Sequence, residues 1–204
     1  MGLVKKATAA APATDRREVD RDLDGLLAQL RSADAEERRR AALDLAGVAE
    51  AVPALLEAAD AERQPTVRDA VLTTLLAHDL PEVARHLAGW LADDDAARRN
   101  AAVATLQAMP VGAASVLDAL LTTGDVRVRT LAVMVISALA HPGVPDWLEV
   151  VVDADPDENV VAAAVDTAQQ LDEALARQLS AAAAARFPAN PYLQFLATLA
   201  AGAR

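Results

Sequence analysis

The chain has no cysteine, two lysines, only five aromatic residues among 204, and no uncharged apolar run long enough to cross a bilayer. Each shortage closes a class of reading. Without cysteine there is no disulfide framework, thiolate metal site or thiol nucleophile, and a reducing compartment is the expectation. With aromatics at 2% and hydrophobic residues at 53%, the core has to be built from Ala, Leu and Val, a palette suited to closely approaching helices. Asp or Arg interrupts each hydrophobic stretch before the ~18 residues that a membrane span requires. Met1 to Thr14, MGLVKKATAAAPAT, carries Lys5 and Lys6 without the apolar run of a secretory signal. Gly2 lacks the Ser or Thr that myristoylation wants at the sixth position, where Lys6 stands. The expected protein is cytoplasmic, with residues 1–14 a disordered tail.

Basic charge is scarce as well. Residues 1–47 balance nine basic side chains against nine acidic ones, whereas from Val48 onward ten arginines face 21 carboxylates. A surface of that sign repels phosphate, so nucleic acid is not an expected partner. Gly143 to Ala176 holds nine carboxylates and no Lys or Arg, a stretch against which a basic partner would dock. At the other end, Arg38, Arg39 and Arg40 together with Lys5 and Lys6 form the one basic concentration.

What the chain does have is a period. Arg38, Arg68, Arg99, Arg129 and Val161 recur at steps of 30, 31, 30 and 32 residues. Three residues after each stands Ala41, Val71, Ala102, Ala132 or Ala164; seven after stands Leu45, Leu75, Leu106, Ile136 or Ala168. The same helical stripe is written five times, which signals stacked helical repeats. Counting back twelve and eight residues recovers a first helix in three of the five units: Leu26 and Leu30, Leu87 and Leu91, Leu117 and Leu121. In the second repeat, Val52 and Leu56 lie four residues further back, which reads as a four-residue insertion in a turn from Asp60 to Thr66. Pro81, Pro110 and Pro142 fall between repeats, with Gly112 and Gly143 as breaker signals.

The first helix is expected to begin at Asp15, with Glu18 completing a capping box. Ser32, Ala33 and Asp34 form the turn into a helix from Ala35 to about Val48. Beyond the repeats, Leu171 to Phe187 predicts a further helix through the strong helix-forming run Ala181 to Ala185. Asn190 and Pro191 then open a last one. Tyr192, Phe195, Leu196 and Leu199 share a face there, and this pair is expected to cap the stack.

The spacing Asp34/Arg38, Asp95/Arg99 and Asp125/Arg129, each followed by a small residue and then Leu or Ile, resembles the HEAT repeat, in particular the short bacterial type found in phycobilin lyases. The resemblance covers roughly residues 20–173. It implies a right-handed α-solenoid, with each Asp capping a second helix and each Arg reaching a neighbouring repeat's carboxylate as a ladder. That ladder comprises Asp34, Arg38, Arg68, Asp95, Arg99, Asp125 and Arg129, with Asp60 displaced and Val161 departing from the pattern. The expected architecture is all-α: residues 15–175 as about five hairpins and residues 176–204 as a helical cap.

Catalytic patterns fail one by one. The three histidines, His78, His86 and His141, are not followed by Glu, so the paired His-Glu iron ligands of HEAT-like hydroxylases are missing. Glu82 and His86 share a helix face but make two ligands at most. Asp153, Asp155 and Asp157 open like a calcium loop, yet Glu158 stands where Gly is needed and Ala164 where a bidentate Glu is needed, so acidic helix caps are the expectation. Nucleophile elbows and phosphate-binding glycine loops are absent, and no cofactor or metal is expected. Trp90 and Trp147 are placed at matching near-core positions on first helices. The reading is a non-catalytic protein-interaction scaffold or adaptor, bacterial by its use of Ala and Arg. Its partner-binding concave face is assigned to Arg39, Arg40, Asp69, Thr73, Arg98, Thr130, Asp166 and Gln170. The alternatives are a phycobilin-lyase-like cofactor-handling subunit and a self-assembling structural scaffold, the chain being otherwise a monomer or weak homo-oligomer.

Overall fold

A computed structural model describes residues 22–202. The described residues form twelve α-helices and one 3₁₀ turn (Ala49–Ala51), with no strand. The helices are α1 Leu23–Gln29, α2 Ala35–Asp44, α3 Val52–Ala61, α4 Pro65–Leu76, α5 Pro81–Trp90, α6 Ala96–Gln107, α7 Pro110–Leu121, α8 Val126–Ile136, α9 Val144–Ala154, α10 Glu158–Leu171, α11 Glu173–Arg186 and α12 Pro191–Gly202. The chain divides into two compact units, Met1–Thr74 and Leu75–Arg204.

The period is the organising fact. All ten residues three and seven places after the register positions, from Ala41 and Leu45 to Ala164 and Ala168, are 0% exposed. A helix turns once per 3.6 residues, so positions three and seven later bring the same stripe back inward. In the first unit α1 packs on α2, and the Thr74 hydroxyl donates to the Ala42 carbonyl at 2.8 Å, joining α4 to α2. In the second unit α5 packs with α6, α7 with α8, α9 with α10 and α11 with α12. The second helices also stack in series, α6 on α8, α8 on α10 and α10 on α12. Antiparallel pairs repeated so that each touches its neighbours are the packing of an α-solenoid.

Several expectations change in detail. The expected start at Asp15, with Glu18, lies outside the described residues. Within them α1 begins at Leu23, because Asp22 is extended and its carboxylate accepts from Gly25. Helix α2 ends at Asp44, short of Val48, where Gly47 turns the chain at φ +80°, a conformation glycine adopts at little cost. The second repeat carries no insertion: α3 runs through Asp60, and only Glu62 to Gln64 separate it from α4. Its buried residues are Val52, Leu55 and Ala59, so the apolar stripe is rotated rather than displaced by a longer loop.

Pro65, Pro81 and Pro110 are first residues of helices, where a missing N–H costs nothing. Gly112 is no breaker. It lies buried inside α7, where a Cβ would meet Met109 Cε at 3.0 Å and the Leu80 carbonyl at 3.1 Å. Leu171 ends α10, and α11 starts at Glu173 because Asp172 breaks the helix and caps the next by accepting from Leu175. In α12 the buried residues are Leu193 and Leu196, while Tyr192, Phe195 and Leu199 face outward. Of the four residues assigned to the capping face, Leu196 is buried and the other three are exposed.

Candidate functional site

The polar residues of the repeat gather at the turn inside each hairpin. Asp34, Asp95, Asp125 and Asp157 each sit in extended backbone before a second helix and accept from amides of its first turn at 2.8–3.3 Å. These are the donors a helix cannot satisfy internally. The same bonds hold the carboxyls of Asp34, Asp125 and Asp157 below the usual carboxylate range.

The register arginine spans this turn in two directions. In Arg38, Nη1 donates to the carbonyls of Ser32 and Ala33, while Nε and Nη2 form a fork on Glu62 at 2.7 and 3.1 Å. Arg129 repeats the arrangement, with Nη1 on the Thr123 carbonyl and the fork on Asp155 at 2.7 and 3.2 Å. The Arg129 and Asp155 side chains are 10% and 3% exposed. Glu62 and Asp155 both end the first helix of the following pair, and in their own turns Glu62 also accepts from the amides of Arg63 and Gln64 and Asp155 from that of Asp157. The Arg38 hydrogen bond pulls the Glu62 carboxyl down.

Arg99 keeps only half of this geometry: Nη1 binds the carbonyls of Asp93 and Asp94, both at 2.8 Å. At the next turn the place of Glu62 and Asp155 is taken by Thr123. Arg68 lies half-buried in α4, with its Nε meeting no hydrogen-bond partner. Val161 stands at the fifth register position with 0% exposure. The neighbouring cation is Arg186 of α11, which donates to the carbonyls of Val152 and Asp155 at the end of α9. Nothing in the repeat register marks Arg186.

The residues assigned to partner binding divide into two groups. In the first unit Arg39 and Arg40 approach Glu36 on their own helix at 3.5 and 3.0 Å, and the exposed Thr73 donates to the carbonyl of the exposed Asp69. In the second unit Arg98 folds back over the Trp90 ring at 4.4 Å and contacts Asp93 at 3.1 Å, so its charge is directed into its own hairpin. Thr130 lies on the outward stripe of α8, flanked by Val126 and Met134, which are 40% and 46% exposed. Asp166 and Gln170 lie on the outward stripe of α10, where Asp166 accepts from the Tyr192 hydroxyl at 2.8 Å. That bond raises the Tyr192 pKa.

Trp90 and Trp147 do not match. Trp90 is buried, whereas Trp147 is half-exposed and donates to Asp118 of α7 at 2.9 Å. The acidic stretch is largely committed to structure. Asp155 holds Arg129, Asp157 and Asp172 cap helices, Asp166 holds Tyr192 and Glu149 accepts from Gln178. Asp155 and Asp157 thus have other uses than a calcium loop. Among the described residues no three His, Asp or Glu side chains cluster to hold a metal ion, and no helix is long and apolar enough to cross a membrane.

Paired helices with an aspartate cap and a turn-spanning arginine agree with the sequence comparison. Residues 23–107 match the family model for HEAT repeats. This stretch belongs to the HEAT-repeat family. The roughly 30-residue register continues past the matched residues, through Arg129 and Val161, on the same buried stripe. No curated protein matches the chain. HEAT repeats are commonly protein-interaction scaffolds and are generally without catalytic machinery.

Proposed function

We propose that the chain is a non-catalytic adaptor that holds a partner protein on the outward stripes of its second helices. One observation carries this reading. On α8 the residues turned away from the core are Val126, Arg127, Thr130, Leu131 and Met134, and among them Val126 and Met134 are apolar groups whose exposure the fold does not require. Isolated exposed apolar side chains are ordinary. Here two of them flank a threonine on a helix that stands in series with α6 and α10, and the α10 stripe adds Asp166 and Gln170. A stacked series of such helices presents adjoining polar and apolar contacts, which is how repeat proteins recognise partners. In the first unit Arg39, Arg40, Asp69 and Thr73 are the corresponding positions. Asp146, Asp153, Glu158 and Glu173 are exposed and favour a partner with a basic patch. The lack of cysteine favours a reducing compartment, and arginine in place of lysine favours a bacterial cytoplasm.

The test is capture from a lysate of the source organism with cross-linking and mass spectrometry, comparing the native chain with a Thr130→Arg, Met134→Asp variant. Both positions face outward, so the variant's circular dichroism and melting should match the native chain. A protein cross-linked to α8 or α10 of the native chain and lost from the variant is the expected result. Equal capture by the two would refute the assignment to this face.

A further inference from the structure

Helix α12 spends Leu193 and Leu196 on the core, yet carries a second apolar stripe. Tyr192, Phe195 and Leu199 are 46%, 59% and 53% exposed, and their spacing of three, four and seven residues places them on one side of the helix. Phe195 and Leu199 form one wall of a groove of about 570 Å³. The opposite wall is Gln169 at the end of α10 with Glu173, Ala176 and Arg177 in the first turns of α11. A ridge and a hollow therefore lie side by side, and the hollow carries one negative and one positive side chain four residues apart. Tyr192 is fixed at the end of the ridge by its bond to Asp166.

We infer that this groove is where two copies of the chain pair about a two-fold axis. A two-fold contact uses the same patch twice, so the patch must complement itself. This one does so in its apolar part, because antiparallel pairing lays each copy's exposed Phe195–Leu199 ridge against the other's. It does so in charge, because antiparallel apposition of the two α11 helices sets Glu173 of each copy beside Arg177 of the other. A strongly basic helix in the groove would meet Arg177, and a strongly acidic one would meet Glu173. Neither is matched as well as a second copy. Pairing here takes up no residue of α8 but adjoins Asp166 and Gln170 of α10, so the two readings meet at α10 and are told apart by the Thr130→Arg, Met134→Asp variant, whose positions lie outside the groove.

Sedimentation equilibrium of the full chain at ~0.15 M salt, where screening shortens the repulsion between like-charged copies to about 8 Å, decides the matter. The mass should rise from 21.3 kDa toward twice that value between low and high micromolar concentration. Phe195→Asp, at an exposed position, should hold the chain at one copy with unchanged circular dichroism. Glu173→Arg and Arg177→Glu alone should each disturb both symmetric pairs and weaken pairing by up to roughly tenfold, as two exposed ion pairs allow. The double reversal should restore it. A single-copy mass at every concentration overturns the proposal, as does a dimer indifferent to Phe195→Asp. A dimer weakened by both single reversals and not recovered by the double one overturns the two-fold pairing. A monomer whose groove takes up a partner's helix assigns the groove to that partner.

Discussion

Helices α2, α6, α8 and α10 begin on an aspartate that takes their first amides, whereas α5 and α7 begin on Pro81 and Pro110 with no capping side chain at the preceding residue. The first group starts at the turn inside a hairpin, the second at the turn between hairpins. Inside, the turn is set by charge: an aspartate cap and, at Arg38 and Arg129, a guanidinium shared between turn carbonyls and the next carboxylate. Between hairpins it is set by fit. Asp79, at φ +42°, reaches the amides of Val111 and Gly112 at 3.0 and 2.7 Å, and α7 comes so near Leu80 that a Cβ at Gly112 would stand 3.1 Å from its carbonyl. One end of the repeat is ionic and the other steric, so substitutions and pH should act on them differently.

The largest effect should come from the most buried member of the ionic end. Arg129→Ala leaves the Asp155 carboxylate buried without its fork and strips a donor from the Thr123 carbonyl. Removing one partner of a buried pair costs on the order of 3 kcal/mol. Arg99→Ala removes only two carbonyl contacts, and about 1 kcal/mol is the expectation for hydrogen bonds of that kind. Urea unfolding of both variants measures the contrast. Equal losses would show that the turn carbonyls, rather than the carboxylate, give the arginine its value.

That contrast also marks how far the residues alone could be read. The register, the burial three and seven residues on, and the aspartate caps were all legible, because a cap is satisfied within two or three residues and a helical stripe recurs by geometry. The carboxylates that answer Arg38 and Arg129 were legible only as an expectation of the family resemblance, since they lie 24 and 26 residues ahead. The signal that locates them is the residue three places before each second helix: Ser32, Glu62, Asp93, Thr123 and Asp155. Thr123 there explains why Arg99 lacks a fork. The α12 face Tyr192, Phe195, Leu196 and Leu199 divides in the structure, only Leu196 meeting the core, for a different reason. Tyr192/Phe195/Leu199 and Leu193/Leu196 are stripes about 100° apart on the helix, and periodicity cannot say which of two adjacent apolar stripes meets the core. The brace from Asp79 to Gly112 rests on a contact 33 residues apart, which no local pattern announces. Of the candidate surface, Thr130, Asp166 and Gln170 were placed on outward stripes, while Arg98 was not, because Trp90 beside it offers a cation–π contact.

The steric end is tested by two glycines. Gly89 in α5 has open space where a Cβ would stand, so Gly89→Ala should stabilise by up to about 1 kcal/mol, the intrinsic helix preference for alanine. Gly112→Ala carries the same intrinsic gain but meets Met109 Cε, Asp79 Oδ1 and the Leu80 carbonyl at 3.0–3.1 Å. The methionine end can move; the backbone carbonyl cannot without parting the two hairpins. Overpacking of this kind costs about 1–3 kcal/mol, so the net change should be a loss of about 1 kcal/mol. Thermal melts of the two variants should shift in opposite directions. A stabilising Gly112→Ala would mean that the hairpins separate easily and that close fit does not set this turn.

Acid should act on the ionic end first. The carboxyls of Asp34, Glu62, Asp125 and Asp157 are held below their ordinary values by backbone amides or, for Glu62, first by Arg38. A carboxyl lowered in the folded state takes its proton earlier in the unfolded chain. Its contribution is therefore complete above about pH 5 and is lost as the pH falls through the ordinary carboxylate range near 4 toward the lower folded value. Urea midpoints should be level from pH 7 to 5 and then fall. Glu62→Gln keeps the shape and one of the two acceptors that hold Arg38 but removes the charge and the other acceptor, and about 1 kcal/mol of destabilisation at pH 7 is the expectation for losing the charged half of such a bond. Because the native chain surrenders that same interaction on protonation, the two curves should converge as the acid limb is descended. Gly112→Ala alters no ionisable group and should lie parallel to the native curve throughout. Convergence of one variant and parallel displacement of the other would separate the two ends of the hairpin by titration alone.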